Sequence, residues 1–374
     1  MRIRGWSLVG TVVVVVVTVM ASRAKEQPAA PTSSRTKKVV TQEERADALA
    51  RAAVWQQPDV EISKAHLGAP ADQPRSMACR FVLNVPSGTS PKFDCTLDSG
   101  ERIRVKYGRT PEIPSEVASS RLLHALGFGT DNVMLVESVR CYGCPREPFF
   151  TMKAVGFTQA EGLYNKLIDY NSYEDFEWVL VERKHEARAI ETGTRGGWAF
   201  HELDQIDAAM GGAPPAHVDA LRLMAVFLAH WDNKPENQRL VCLSQQDWPE
   251  GERCEKPFAM MQDVGGSFGP RKVDLGGWQA APIWGNRDTC VASMRSLPYH
   301  GATFAPVAIT EAGRQHLVSL LGQLSDDQLE DLFKAARFDK KKSVFTAPAR
   351  PVSEWVSAFK NRVRQISDGA PCPQ

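Results

Sequence analysis

The residues best equipped for chemistry lie in one short stretch, His230-Trp231-Asp232-Asn233-Lys234-Pro235-Glu236-Asn237. It sets out a carboxylate, a lysine, a proline-bearing turn and an asparagine five positions after the aspartate. Phosphoryl transfer has a use for this set: a carboxylate to take the proton of an attacking hydroxyl, and oxygen ligands for the metal that neutralises phosphate charge. A second set follows at Met260-Met261-Gln262-Asp263-Val264-Gly265-Gly266, where the apolar run 257–261 reads as a short strand ending at Asp263 and a glycine-rich turn. Asp263 is 26 residues beyond Asn237, and the polar residues 244–256 between them read as an inserted loop. Either acid alone is an ordinary loop residue, since Asp before Gly is a routine turn signal. Their order and flanks favour a single site.

The elements that must position these groups can be read around them. Residues 81–85, 92–97 and 102–107 are short strand-like runs broken by glycine-bearing turns, which predicts an antiparallel meander. Between the first two, the turn Ser87-Gly88-Thr89-Ser90 offers backbone N–H groups and hydroxyls to a phosphate, although most such turns bind nothing. Lys106 lies on the third run. A helix opening at Pro114-Ser115-Glu116 carries Val117, Ala118, Leu122, Leu123 and Leu126, and sets Glu116 to pair with Lys106; Glu112 competes for that role. The bland alternative is a surface lysine and a first-turn glutamate favoured by the helix dipole. Residues 133–139 and 149–155 read as two more strands, and a helix is predicted near 173–190. Pro214 or Pro215 opens a helix to about Ala229 that is apolar nearly all round, hence buried, and it delivers the chain into Asp232. The Gly/Trp/Pro-rich residues 269–304 read as the loop shaping a substrate face. Helices are predicted over 310–321, 325–336 and 353–366.

The chain has 374 residues, 43% of them hydrophobic, enough for one large core or two lobes. A net charge of +1 gives no electrostatic case for nucleic acid. At the N-terminus, Arg2 and Arg4 precede a valine-dominated run over residues 8–20 and then Ala21-Ser22-Arg23-Ala24, the layout of a signal peptide or an uncleaved anchor. The expected address is therefore exported: periplasmic, secreted or membrane-anchored. Eight cysteines fit disulfides in an oxidising compartment. Cys242 and Cys254 flank the inserted loop and are placed to staple it, while the other pairings are not deducible. Cys141-Tyr142-Gly143-Cys144 lacks a partner at zinc spacing, and His185-Glu186 and His201-Glu202 lack the second histidine of a metalloprotease helix.

A strand lysine, a helix glutamate, H-W-D-N-K-P-E-N and D-V-G, in that order over about residues 79–270, resemble the protein-kinase-like fold of the atypical kind. HipA-type toxin kinases, phosphoinositide 3-kinase relatives and secretory-pathway kinases belong to it. The run Ser-Gly-Thr-Ser-Pro-Lys is similar to the HipA-type phosphate loop. Trp231 stands where protein kinases usually carry arginine, which argues against activation by a phosphorylated loop, since no cation is there to meet the phosphate. No A-P-E segment is evident.

The resemblance implies an α+β, two-lobed fold, with a small antiparallel-sheet N-lobe and a mainly helical C-lobe. The implied divisions are 1–24 signal peptide or anchor, 25–76 tether and short helix, 77–160 N-lobe and 161–374 C-lobe. The short helix, opened by the capping-box pattern Thr41-Gln42-Glu43-Glu44, is expected to pack on the N-lobe. The resemblance implies that Gly88, Thr89 and Ser90 bind nucleotide with Lys106, which Glu116 orients. It makes Asp232 the base, sets Lys234 on the transferring phosphate, and gives Asn237 and Asp263 to Mg2+ or Mn2+. The expected activity is ATP-dependent phosphotransfer to an exported protein, lipid or small molecule, with membrane attachment through the N-terminus if the leader stays. The alternative is a silent kinase-like scaffold in the cell envelope.

Overall fold

Glycine-bearing turns bring three alternating runs together as β1 (Ser76–Val82), β2 (Lys92–Thr96) and β3 (Arg102–Lys106), the antiparallel meander that the turn chemistry predicts. This is a computed structural model that describes residues 40–183, 187–193, 196–244, 253–340 and 347–373. The leader reading of residues 1–24, most of the tether and the middle of the inserted loop fall outside these. β4 (Asn132–Tyr142) and β5 (Tyr173–Arg183) complete the sheet in the order β1-β2-β3-β5-β4. The expected antiparallel sheet is corrected at one seam. β1 runs parallel to β4, from Ser76 opposite Ser138 to Arg80 opposite Tyr142, and this pairing closes the five strands into a barrel. Closure removes the free strand edges. The interior is a core of its own, including Phe81, Phe93, Val105, Val136, Val139, Phe176 and Val181.

Two further assignments are corrected. Residues 149–155 form a helix, α3 (Pro148–Phe157), because Phe149, Met152 and Val155 recur at helical spacing and turn one face onto the barrel. The helix expected near 173–190 is instead strand β5, which pairs with both β3 and β4. Trp178 there is exposed with φ at 51°, which breaks the alternation that would have marked a strand. β5 is part of the barrel although it lies beyond residue 160. The short helix α4 (Glu161–Asn165) lies between α3 and β5.

Helix α2 (Glu112–Ala125) shares a second, larger core with the rest of the chain. α5 (Pro215–Leu228) is buried from Val218 to Leu228, as its all-round apolar sequence predicts, and Ala229 ends it in the left-handed conformation. Helix α1 (Gln42–Ala50) has the predicted capping box at Thr41. Its packing differs from expectation, since it lies away from the barrel. Arg45 is buried and donates to Glu202 Oε1 at 2.9 Å and to Gly197 O at 2.7 Å, and Ala53 N donates to Pro257 O at 2.9 Å.

A small sheet carries the two acid-bearing loops. β6 (Arg188–Ala189), β7 (Gln238–Cys242) and β8 (Pro257–Met261) pair in that order, with Gln238 opposite Met261. β7 begins right after Asn237 and β8 ends two residues before Asp263, so this register sets the loops side by side. Downstream come α6 (Leu275–Ala280), the short strands β9 (Trp284–Asn286), β10 (Val291–Ala292) and β11 (Val307–Ala308), and helices α7 (Glu311–Leu321), α8 (Asp326–Ala335) and α9 (Val352–Ser367).

All eight cysteines are paired, as Cys79–Cys95, Cys141–Cys144, Cys242–Cys254 and Cys290–Cys372. Four disulfides fit an oxidising, exported setting. Among the described residues no helix is long and apolar enough to cross a membrane.

Candidate active site

At the end of β3, Lys106 is 3% exposed and meets two carboxylates at once. Its Nζ donates to Glu116 Oε1 at 2.9 Å and Oε2 at 2.7 Å, and to Asp263 Oδ1 at 2.8 Å. Glu116 comes from the second turn of α2 and Asp263 from the loop after β8, so one ammonium ties together barrel, helix and loop. Burial opposes the charge on Lys106, but Asp263 and Glu116 outweigh it and raise the pKa well above the ordinary value. Burial also acts to raise the Asp263 carboxyl, yet Lys106, with Lys92 and Lys272 behind it, holds it well below the usual range. Glu116 is pushed by burial up to about 8 despite Lys106.

The loop after β8 must pass close to α2 for this contact. A Cβ on Gly265 would fall 2.4 Å from Glu112 Cγ, and one on Gly266 would fall 2.9 Å from Asp232 Cβ. Both glycines are therefore demanded by close approach. Asp263 itself has φ at 48°, a left-handed conformation that aspartate tolerates better than most residues.

The 232–237 loop joins the site from the other side. Trp231 N donates to Gly266 O at 3.1 Å, and Gln262 N donates to Asn237 O at 2.9 Å. Asn237 Nδ2 donates to the backbone oxygen of Asp232 at 2.6 Å, which fixes the amide and leaves Oδ1 without a hydrogen bond to a described residue. Lys234 Nζ lies 3.4 Å from Asp232 Oδ1, near enough for charge pairing but not aligned as a hydrogen bond. Asp232, Asn237 and Asp263 thus belong to one pair of touching loops. Asn237 Oδ1 and the second oxygen of Asp263 are hard donors of the kind Mg2+ or Mn2+ prefers, so these residues fit such an ion. Glu112, Glu116 and Asp263 also bring carboxylate oxygens within 4.8 Å of one another.

On the glycine turn, Ser90 Oγ donates to Glu112 Oε2 at 2.6 Å. Gly88 takes φ at 72°, and a Cβ there would sit 3.4 Å from Lys92 Nζ. Thr89 is exposed and forms no hydrogen bond with a described residue. Between the two glutamates on α2, Glu116 takes Lys106, while Glu112 accepts from Lys272 Nζ at 2.5 Å.

Sequence reasoning missed several residues. Lys92 on β2 lies directly opposite Lys106 on β3 and is 7% exposed, yet has no ion-pair partner among the described residues. Burial lowers its pKa and Asp263 acts to raise it. Only the β2–β3 register could have revealed it. Lys272 stands 5.6 Å over the ring of Trp231. A cation is thus present where the Trp231 substitution had implied none, though Glu112 holds it. Asn233 is buried and latches the segment that ends at Phe304: its Oδ1 accepts from Thr303 N at 2.8 Å and Phe304 N at 2.9 Å. Asp131, buried near Glu182, has its carboxyl pushed up to about 7, chiefly by burial.

No family model matches the chain, and no curated protein matches it in sequence. Among solved structures it is similar to the Helicobacter pylori proinflammatory kinase CtkA, at 9% identity and a TM-score of 0.40, covering 78% of this chain and 96% of that one. It is also similar to the Golgi casein kinase, at 11% identity and a TM-score of 0.35, covering 91% and 92%. A structure of that kinase with Mn/ADP bound matches at 12% identity and a TM-score of 0.33, covering 78% and 71%. At such scores these likenesses add no weight to what the side chains say.

Proposed function

We propose that this protein is an exported, ATP- and divalent-metal-dependent phosphotransferase of kinase-like build. In this reading the barrel and α2 form the small lobe, and the mainly helical remainder the large one. The observation that supports it most is the buried meeting of Lys106 with Glu116 and Asp263 at 2.7 to 2.9 Å, beside the Asp232–Asn237 loop. A purely structural ion pair gains little from burial and has no need of a second carboxylate. A lysine that presents its charge to a phosphate must be aimed, and Glu116 aims it.

Each residue then has a task. Asp232 accepts the proton of the acceptor hydroxyl as its oxygen bonds to the γ-phosphorus and the bond to the ADP oxygen breaks. Lys234, beside Asp232, meets the charge on the transferring group. Gly88, Thr89 and Ser90 cover the phosphates, and Lys106 pairs with them. Asn237 and Asp263 would hold Mg2+ or Mn2+, which supplies neutralisation of phosphate charge when bound.

A thermal melt of the full chain tests this reading. ATP with Mg2+ or Mn2+, at a hundred times its dissociation constant, adds about 2.7 kcal/mol of stability. For a chain of this size that is a rise of roughly 3–4 °C. Adenosine should add less, since it lacks the groups that Lys106 meets. No shift with either metal would leave the scaffold reading in its place.

A further inference from the structure

A second surface of the molecule asks for a partner. Among the described residues eleven large apolar side chains are exposed, and six of them fall between residues 150 and 173. Single exposed apolar residues are ordinary, whereas a concentration of them marks a contact surface. Helix α3 is its centre. Phe149, Met152 and Val155 turn inward onto the barrel core. Phe150 and Phe157 are seven positions apart, about 20° short of two full turns, and so share the opposite face. They are 60% and 90% exposed. The neighbouring α4 and the residues after it add Leu163 at 64% and Leu167 at 69%. A helix that is apolar on both faces has one face still unpartnered.

The charges within this patch discriminate between partners. Lys153 stands between the two phenylalanines on α3 and Lys166 directly precedes Leu167, with Glu161 at the start of α4 and Asp169 two positions after Leu167, so the span carries no net charge. Lysine is depleted from the centres of protein–protein interfaces. At a bilayer it is favoured, because its methylene stem lies along apolar surface while the ammonium reaches lipid phosphate. The chain outside the described residues agrees. The apolar run 8–20 is followed by residues 21–39, which when extended span roughly 60 Å. A bilayer holding that run would keep the folded body within reach. Marginal membrane signals work in pairs, a second one turning reversible contact into stable attachment.

We propose that the outer face of α3 and α4 is a membrane-contact surface. Phe150, Phe157, Leu163 and Leu167 enter the headgroup–acyl boundary, and Lys153 and Lys166 pair with lipid phosphates.

Hydrogen exchange of the full chain tests this directly, with and without vesicles of phosphatidylcholine and phosphatidylglycerol. Amides over residues 150–167 should exchange about tenfold more slowly on the vesicles. In Phe157→Asp/Leu163→Asp that protection should vanish while the melting temperature holds, because both side chains are exposed. Lys153→Glu/Lys166→Glu should weaken it on the anionic vesicles. Exchange over 150–167 that vesicles leave unchanged would overturn the proposal. So would protection that appears without lipid and grows with protein concentration, which would assign the face to a second copy of the chain. These readouts involve no nucleotide, so their outcome is independent of the phosphotransferase reading.

Discussion

Lys106 is a shared cation, so its loss should register twice. Lys106→Met leaves the buried Glu116 and the partly exposed Asp263 without their partner, and the loss of the buried Lys106–Glu116 pair alone costs about 3–5 kcal/mol by the precedent of broken buried pairs. It should also abolish most of the thermal shift that ATP with metal produces. Lys92→Met separates these effects: with no ion pair to break, it should leave the unliganded protein nearly as stable, yet lose part of the ATP-dependent shift. An undiminished shift in Lys92→Met would show that this lysine does not face the phosphates. Glu112, a competitor for Lys106 in the sequence, cannot serve as a silent control, because it holds both Lys272 and Ser90. His230 sets an acid limit. Burial brings its pKa down from 6.5 to about 4, against an opposing pull from Asp263. The folded state binds that proton less readily than the unfolded chain. Its contribution is therefore whole above about pH 6.5 and is lost as pH falls toward 4. Denaturant midpoints measured across that window should slope less for His230→Gln, which carries no titrating ring. An identical slope would move the acid sensitivity elsewhere, with the half-buried His217 and His316 the next places to look.

Among the elements, α5 and α9 hold the 232–237 loop from behind. Arg362 on α9 is fully buried and donates to Phe227 O and Val226 O at the end of α5, and to Trp278 O and Ala281 O around α6. Burial pulls its pKa down to about 9. Arg362→Met would strand the carbonyls of Trp278 and Ala281, while Val226 O keeps Ala229 N and Phe227 O keeps Trp278 Nε1, at a cost of about 2–5 kcal/mol. That should lower the melting temperature by roughly 5 °C; a drop of a degree or less would mean that the packing of α9, and not these bonds, carries the support. The periodicity of α9 was legible in the sequence, but an arginine on its inner face was not, because a charged residue reads as solvent-facing until the carbonyls around it are known. The same limit applies elsewhere. Asp232, Asn237 and Asp263 could be found because their chemistry is written in local spacing, and α5 because it is apolar all round. Lys92 depends on a cross-strand register, the barrel seam on a parallel pairing between β1 and β4, and β5 on an alternation that Trp178 interrupts. Helix α3 was misread because a short apolar run has no preferred period until one face finds a core.

At the scale of the whole molecule, two cores and four disulfides frame one site. The barrel has its own interior, and its outer face, through Val133, Leu135 and Leu180, shares the larger core with α2 and the helical remainder. The disulfides fit an oxidising compartment, where ATP must be supplied from elsewhere. The central claim is transfer itself, and the most direct measurement is release or transfer of label from γ-labelled ATP by the full chain with Mg2+ or Mn2+. The wild type should label itself or an added acceptor, or release labelled phosphate, in a strictly metal-dependent way. Asp232→Asn should stop this while metal-dependent nucleotide binding persists. Asp263→Asn should stop both. Turnover undiminished in either variant, or none from a wild type that binds ATP with metal, would contradict the account.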